Sequence, residues 1–326
     1  MKKVFPPKLK VGDEIRVIAP AKSMGSMFIE KKLDSTVTYF KENFGVHITL
    51  GKHIFELNEL ETASLDHRLE DFHAAFKDKN VKAILTVLGG ASSNQMLKHI
   101  DYDLTSDNPK IFCGLSDITA LTNGIYAKTG LITYSGPHFT VFGHDKAREY
   151  TADYFRKCFF ENETISIASS PIYFDERKGD AENITNDGWW IIEEGEATGT
   201  ALGGNLITFN LLQGTEYFPV LSDSILFIED NNKESSRAFE NHLQSLILQP
   251  SFKGVKGLVI GRFQQGSGLS KELLAKIIKT KPELEGIPIV ANVDFGHTLP
   301  MITFPTGGKV QVDARGKDYE LKIIEH

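Results

Sequence analysis

The stretch Ile111-Phe112-Cys113-Gly114-Leu115-Ser116-Asp117-Ile118-Thr119 decides how the rest of the chain is read. A short apolar run stops at a glycine and a serine follows two residues later. Apolar side chains then recur at Ile118, Leu121 and Ile125, the spacing of one helix face. The pattern predicts a strand, a tight turn carrying the serine, and a helix. Gly114 permits the sharp turn. The backbone N–H of Asp117 would face an oxyanion formed on a group attacked by Ser116. A plainer reading competes with this one: an ordinary strand-to-helix junction, with Ser116 or Asp117 as the helix cap.

Before this stretch, strands are predicted at Ile15–Ala19, Val46–Leu50 and Val81–Leu88, and helices at Phe28–Asn43, Ser64–Lys79 and Asn94–Ile100. In the second helix Leu65, Leu69, Phe72 and Phe76 repeat at intervals of four, three and four, one amphipathic face. Strands alternating with helices predict a parallel sheet covered on both faces, with ligands at the carboxyl ends of its strands. Gly89-Gly90 and Ser116 fall at such ends. After about Thr151, residues 163–187 are polar and turn-rich, broken by Trp189-Trp190, the two tryptophans of the chain. A glycine-rich stretch covers Gly195–Gly204. Strands are then expected at 224–228, 255–260 and 287–292, helices at 234–248 and 270–279, and a hairpin over 309–324 around Gly316-Lys317-Asp318.

Length and charge bound the function. At 326 residues the chain exceeds the usual single domain, so two are expected. A net charge of -7 with no basic run weighs against a nucleic-acid polymer as partner. Cys113 and Cys158 make no disulfide framework and are expected as reduced, small apolar residues, which fits the cytoplasm. The N-terminus is too polar for a signal peptide. No apolar run approaches the roughly 20 residues that span a bilayer, so no membrane partner is expected.

A polar residue recurs just where a strand ends: Ser116, Glu229 and His297, each flanked by glycine or asparagine. A serine needs a base to become a nucleophile at neutral pH, and histidine has the suitable pKa. The histidine in turn needs a carboxylate to fix its tautomer. Blander roles stand beside these. His297 is one of 10 histidines, and Glu229 could cap the next helix or pair with Arg237. Gly89-Gly90 followed by Ser92-Ser93-Asn94 reads either as an anion-binding turn or as a plain loop. It is not a dinucleotide fingerprint. His67 and His73 are six apart on a predicted helix and so on different faces, and Cys-x-x-Cys is absent. No metal and no cofactor is expected.

Further motifs run in order along the chain: Leu9-Lys10-Val11-Gly12-Asp13, Val17-Ile18-Ala19-Pro20, Leu88-Gly89-Gly90-Ala91-Ser92-Ser93-Asn94, Leu202-Gly203-Gly204-Asn205-Leu206, Phe227-Ile228-Glu229-Asp230 and Phe295-Gly296-His297-Thr298. With the Ser116 stretch, these resemble the LD-carboxypeptidase family of serine peptidases, and within it the microcin C self-immunity branch. The resemblance implies a Ser116–Glu229–His297 triad, with Ser116 as nucleophile, His297 as general base and Glu229 as its orienting carboxylate. It also implies an oxyanion hole from the N–H of Asp117 and one of Gly89-Gly90. The expected fold is α/β: an N-terminal flavodoxin-like parallel-sheet domain (1–165), a crossing segment (166–190) and a β-rich α/β C-terminal domain (191–326), often as a homodimer.

Two branches share this machinery. The cell-wall branch removes terminal D-alanine from muropeptide tetrapeptides and carries an arginine before the glycine pair and an aromatic after it. Leu88 and Ala91 stand there in this chain. The immunity branch implies cleavage of aminoacyl- or peptidyl-nucleotides, with Ser92, Ser93 and Asn94 at the substrate and Trp189 or Trp190 against the nucleobase. That branch's base-clamping arginine is not evident in Asn231-Asn232-Lys233. The non-enzymatic alternative is a two-domain protein that closes on a small peptide without cleaving it.

Overall fold

The computed structural model describes residues 2–26, 30–146, 148–175, 182–231, 235–316 and 319–326. The expected helix start at Phe28, the turn at Lys317-Asp318, and Asn232 and Lys233 therefore lie outside the described residues.

The first sheet is built from β1 (Glu14–Ile18), β2 (His47–Leu50), β3 (Val81–Thr86), β4 (Ile111–Gly114) and β5 (Thr133–Ser135). They run parallel in the order β2-β1-β3-β4-β5. That is the flavodoxin-like order, with a topological switch between β1 and β3. Helices α1 (Glu30–Phe44), α2 (Leu65–Lys77), α3 (Tyr102–Asp107) and α4 (Thr119–Thr129) connect the strands, and α5 (Arg148–Phe160) follows. On α2 the predicted stripe is real: Leu69, Phe72 and Phe76 are buried, and Ser64 Oγ caps the N-terminus. The helix expected over 94–100 is shorter, a single 3₁₀ turn at Ser93–Met96. Ser93 has its N–H and hydroxyl both committed to Asp117, and such side-chain bonds compete with helix formation. Helix α3, capped by Asp101, was not read from the sequence.

The rest of the chain forms β6 (Ile165–Ile167), β7 (Ile172–Tyr173), β8 (Ile184–Thr185), β9 (Trp190–Glu193), β10 (Glu196–Asn205), α6 (Leu206–Asn210), β11 (Ser224–Glu229), α7 (Ser236–Ile247), β12 (Gly257–Gly261), α8 (Lys271–Lys279), β13 (Ile289–Val293), β14 (Phe304–Thr306), β15 (Lys309–Asp313) and β16 (Glu320–Glu325). Eight of these strands make a second sheet, β6-β16-β15-β10-β11-β12-β13-β9, parallel from β10 to β13 and antiparallel at both margins. The glycine-rich stretch is thus its longest strand. The architecture is a parallel-sheet N-terminal domain and a β-rich α/β C-terminal domain.

One strand at the start of the expected crossing segment joins the second sheet, and one strand of the expected C-terminal domain joins the first. β6 pairs with β16 in the second sheet, and β14 pairs antiparallel with β5 in the first. The apolar layers are also shared. One buried cluster joins Phe72, Ile84 and Leu121 to Leu206, Leu226 and Phe239. The other joins Val17, Tyr134 and Phe155 to Phe227, Val259 and Val310. Among the described residues, no helix is long and apolar enough to cross a membrane.

Candidate active site

Ser116 stands just past the end of β4. Leu115 is extended, Ser116 adopts φ +62°, and a 3₁₀ turn over Ser116–Ile118 leads into α4. A side-chain-bearing residue at positive φ is uncommon, and here it lifts the hydroxyl above the sheet edge. Gly114 is required by space: a Cβ there would lie 2.3 Å from Thr86 Oγ1 and 2.8 Å from Ile118 Cγ2. Gly89 lies against the serine in the same way, since its Cβ would meet Ser116 Cβ at 3.0 Å and Oγ at 3.2 Å.

Glu229 and His297 come from the second sheet. Glu229 is the last residue of β11 and is 2% exposed. Gly261 and Gly296 leave room for it; a Cβ on either would approach Glu229 atoms at 2.8 Å. His297 lies in the loop after β13. Asp294 anchors that loop through Arg262 at 2.7 Å and through the N–H and hydroxyl of Ser170. Paired backbone bonds between Leu299 and Phe174 anchor its far side. His297 Nδ1 is 2.7 Å from Glu229 Oε2, and Nε2 is 3.1 Å from Ser116 Oγ. A carboxylate only accepts, so Nδ1 carries the proton and Nε2 is left to accept from the serine hydroxyl. Glu229 therefore faces His297 rather than Arg237.

An open cavity of about 570 Å³ faces this line of groups, walled by Gly89, Gly90, Ala91 and Ser92 on one side and by Asn231, Gln264 and His297 on the other. It also takes in Lys22, after β1, and so opens at the β1/β3 switch. The Gly89–Gln95 loop is held from beneath. The buried Asp117 carboxylate accepts from the N–H groups of Ser92 and Ser93 at 3.0 and 2.8 Å. Burial raises its pKa, and those hydrogen bonds oppose the rise. From the other side Arg68, 3% exposed, donates to the carbonyls of Pro20 and Ser92 and to Gln95 Oε1.

Other expected site residues fall differently. Ser92 lines the cavity, but Ser93 is fully buried and spent on Asp117, and Asn94 is not part of the lining. Trp189 is buried against Tyr319, with ring centroids 5.7 Å apart. Alternation along β9 turns Trp190 the other way, into a second cavity of about 430 Å³ with Tyr173, Asp187 and Arg262. Gln264 lines both cavities. Several cavity residues escaped the sequence reading, among them Lys22, Gln264 and His138. Buried His138 follows β5 in Ser135-Gly136-Pro137-His138, with Nδ1 2.8 Å from Thr86 Oγ1. The cysteines are as expected, both free and buried.

The LD-carboxypeptidase N-terminal domain matches residues 15–136, and the corresponding C-terminal domain matches 198–312. The chain belongs to the LD-carboxypeptidase family. Among curated relatives, the Bacillus subtilis protein YocD, named as a carboxypeptidase, is 46% identical over 99% of this chain and all of its own. The microcin C7 self-immunity protein MccF of Escherichia coli is 30% identical over 86% of each chain. A Bacillus subtilis protein named as a murein peptide carboxypeptidase is 30% identical over 97% of this chain and 95% of its own. Among solved structures, an MccF-like protein from Bacillus anthracis superposes with a TM-score of 0.96 at 46% identity, covering 99% of this chain and 100% of that one. MccF holding aspartyl sulfamoyl adenosine gives 0.87 at 27% identity over 99% of both. This LD-carboxypeptidase relative is thus a hydrolytic peptidase, which displaces the alternative of a non-cleaving binding protein.

Proposed function

We propose that the protein is a serine carboxypeptidase or amidase working through Ser116, His297 and Glu229 on aminoacyl- or peptidyl-nucleotides. The observation that carries the mechanism is the unbroken line from Ser116 Oγ to His297 Nε2 to Glu229 Oε2, at 3.1 and 2.7 Å. Ser116 Oγ bonds to the carbonyl carbon at the scissile C–N bond while its proton passes to His297 Nε2. The tetrahedral oxyanion is met by the N–H of Asp117 and one from Gly89-Gly90. Collapse breaks the C–N bond, and the departing nitrogen takes the proton from His297. Water then adds to the acyl-serine, again through His297, releasing the acid and restoring the hydroxyl. Glu229 keeps Nδ1 protonated and offsets the charge of the imidazolium.

The nucleotide reading is supported by the second cavity, where Trp190 offers an aromatic face next to the site, and by the ligand held by MccF. Leu88 and Ala91 at the glycine pair point the same way. Similarity to the murein peptide carboxypeptidase sustains a second reading, release of terminal D-alanine from muropeptide tetrapeptides. A side-by-side assay with aspartyl sulfamoyl adenosine and a muropeptide tetrapeptide separates the two, with product expected from the nucleotide substrate. Ser116→Ala should lower turnover by about 10³-fold or more. Activity near wild type in that variant would remove Ser116 from the mechanism, and exclusive release of D-alanine would transfer the protein to the cell-wall reading.

A further inference from the structure

A side-chain cluster outside both cavities carries ligand chemistry that peptide hydrolysis does not use. The segment between β2 and α2 contains His53-Ile54-Phe55-Glu56, and α2 contains His67-Arg68-Leu69-Glu70, so His-x-x-Glu occurs twice. On a helix, residues three apart share a face, which sets His67 beside Glu70. In the turn, His53 Nδ1 comes 3.3 Å from Glu56 Oε2. The two pairs interlock: His53 Nε2 is 3.0 Å from Glu70 Oε2, and His67 Nδ1 is 2.5 Å from Glu56 Oε2. The imidazole rings lie 3.9 Å apart and within 9° of parallel. Ligand atoms of His53, His67 and Glu70 all fall within 4.8 Å of one another.

We propose that His53, His67 and Glu70 form a surface site for a first-row divalent cation of the zinc type, with Glu56, beside Nδ1 of both imidazoles, as the carboxylate that orients them. Two imidazoles with carboxylates suit zinc and its neighbours, whereas magnesium and calcium favour all-oxygen sets. Two carboxylates and two neutral imidazoles balance the charge of a divalent ion. Zinc bonds of about 2.0–2.1 Å place tetrahedral ligands roughly 3.3 Å apart, so small side-chain rotations at this accessible surface close the set. The backbone is already fixed for it: the N–H of His53 donates to the buried Asp71 carboxylate at 3.0 Å. Lys52 occupies the other Glu70 oxygen at 2.8 Å, leaving Oε2 toward the histidines.

The location gives the site a consequence. The same segment runs on to Leu60, Glu61 and Thr62, which form one wall of the Ser116 cavity. It is stitched to the loop after β1 by Ser23 N–H to Glu61 C=O at 2.8 Å and by the Thr62 hydroxyl to Ala21 C=O at 2.5 Å. A cation clamping the His53 turn onto α2 therefore stiffens a cavity wall without entering the chemistry.

Titration of the chelator-treated full-length protein with Zn²⁺ alone, followed by calorimetry, tests the site, and Co²⁺ absorption reports its geometry. Saturable binding of about one ion per chain is expected, with a rise in Tm. His67→Ala and Glu70→Gln should each weaken binding by at least about tenfold, since loss of even an outer-shell partner costs that much. His47→Ala and His99→Ala, exposed histidines elsewhere, should bind as wild type does. Absence of saturable binding, or equal binding in wild type, His67→Ala and Glu70→Gln, overturns the proposal. Glu70 is exposed, so its glutamine variant reports on ligation rather than on folding.

Discussion

Ser116 holds φ +62°, a conformation that costs a side-chain-bearing residue about 1–3 kcal/mol and persists only where neighbours over-determine it. Gly89 is one such neighbour. Gly89→Ala would put a methyl 3.0 Å from Ser116 Cβ, both on constrained turns, and move Oγ off its 3.1 Å approach to His297. Because small misplacements of reacting groups cost about 10²-fold, kcat should fall at least about tenfold while Tm changes by a few degrees. Unchanged kcat would mean that the two turns can separate freely. At this scale the positions of Ser116, Glu229 and His297 were legible, because each closes or follows a strand visible as an apolar run. His138 obeys the same rule, but β5 has only three residues, too few to show a period. Arg68 and the Asp117 carboxylate were hidden for another reason. Their partners are mostly backbone atoms of one loop, and side-chain spacing does not encode those.

Among the elements, β10 resisted reading because its glycines look like turn residues. They are there because nothing larger fits: a Cβ at Gly203 would lie 2.4 Å from Phe227 C=O, and one at Gly204 would lie 2.5 Å from Thr119 Oγ1. The strand docks directly on the helix that begins three residues after Ser116. Asn123 on α4 spans the junction, donating to Gly203 C=O at 2.8 Å and accepting from its N–H at 3.1 Å. Asn123→Ala abandons both buried backbone groups, at about 1–3 kcal/mol for each. Urea denaturation should show a loss of at least about 2 kcal/mol, and turnover should fall because α4 sets the serine turn. A loss under about 0.5 kcal/mol would show that water or relaxation replaces both bonds. By contrast α2 was legible from its apolar stripe alone, since it buries one face with Leu69, Phe72 and Phe76.

For the whole molecule, the two sheets share their apolar layers, and the chain's ends meet. Lys8 Nζ donates to Cys158 C=O at 2.6 Å and lies 2.6 Å from His326 Nδ1. Burial pushes the Lys8 ammonium down to about 8 from the usual 10.5, against a smaller opposing influence of Cys158. Its folded pKa is the lower one, so the unfolded chain binds the proton more tightly between about pH 8 and pH 10.5, and stability from this group rises with pH there. The Tm of wild type relative to Lys8→Met should therefore grow more favourable from about pH 7 to about pH 10. A flat or falling difference would show that Lys8 stays charged at the seam. The two-domain α/β plan was readable from alternating elements. The return of β14 to the first sheet was not, because a three-residue strand carries no pairing signal.

The placement of β14 also bears on synthesis. The ribosome delivers β1 to β5 early, yet the partner of β5 is Phe304–Thr306, beyond His297. Until that segment emerges, the first sheet carries an open edge at β5, the kind of edge that recruits strands from other chains. Chains broken off after the first domain would thus be prone to aggregate. The same late strand that completes the sheet follows the loop that sets His297 against Ser116, so the proposed triad and a closed edge arrive together.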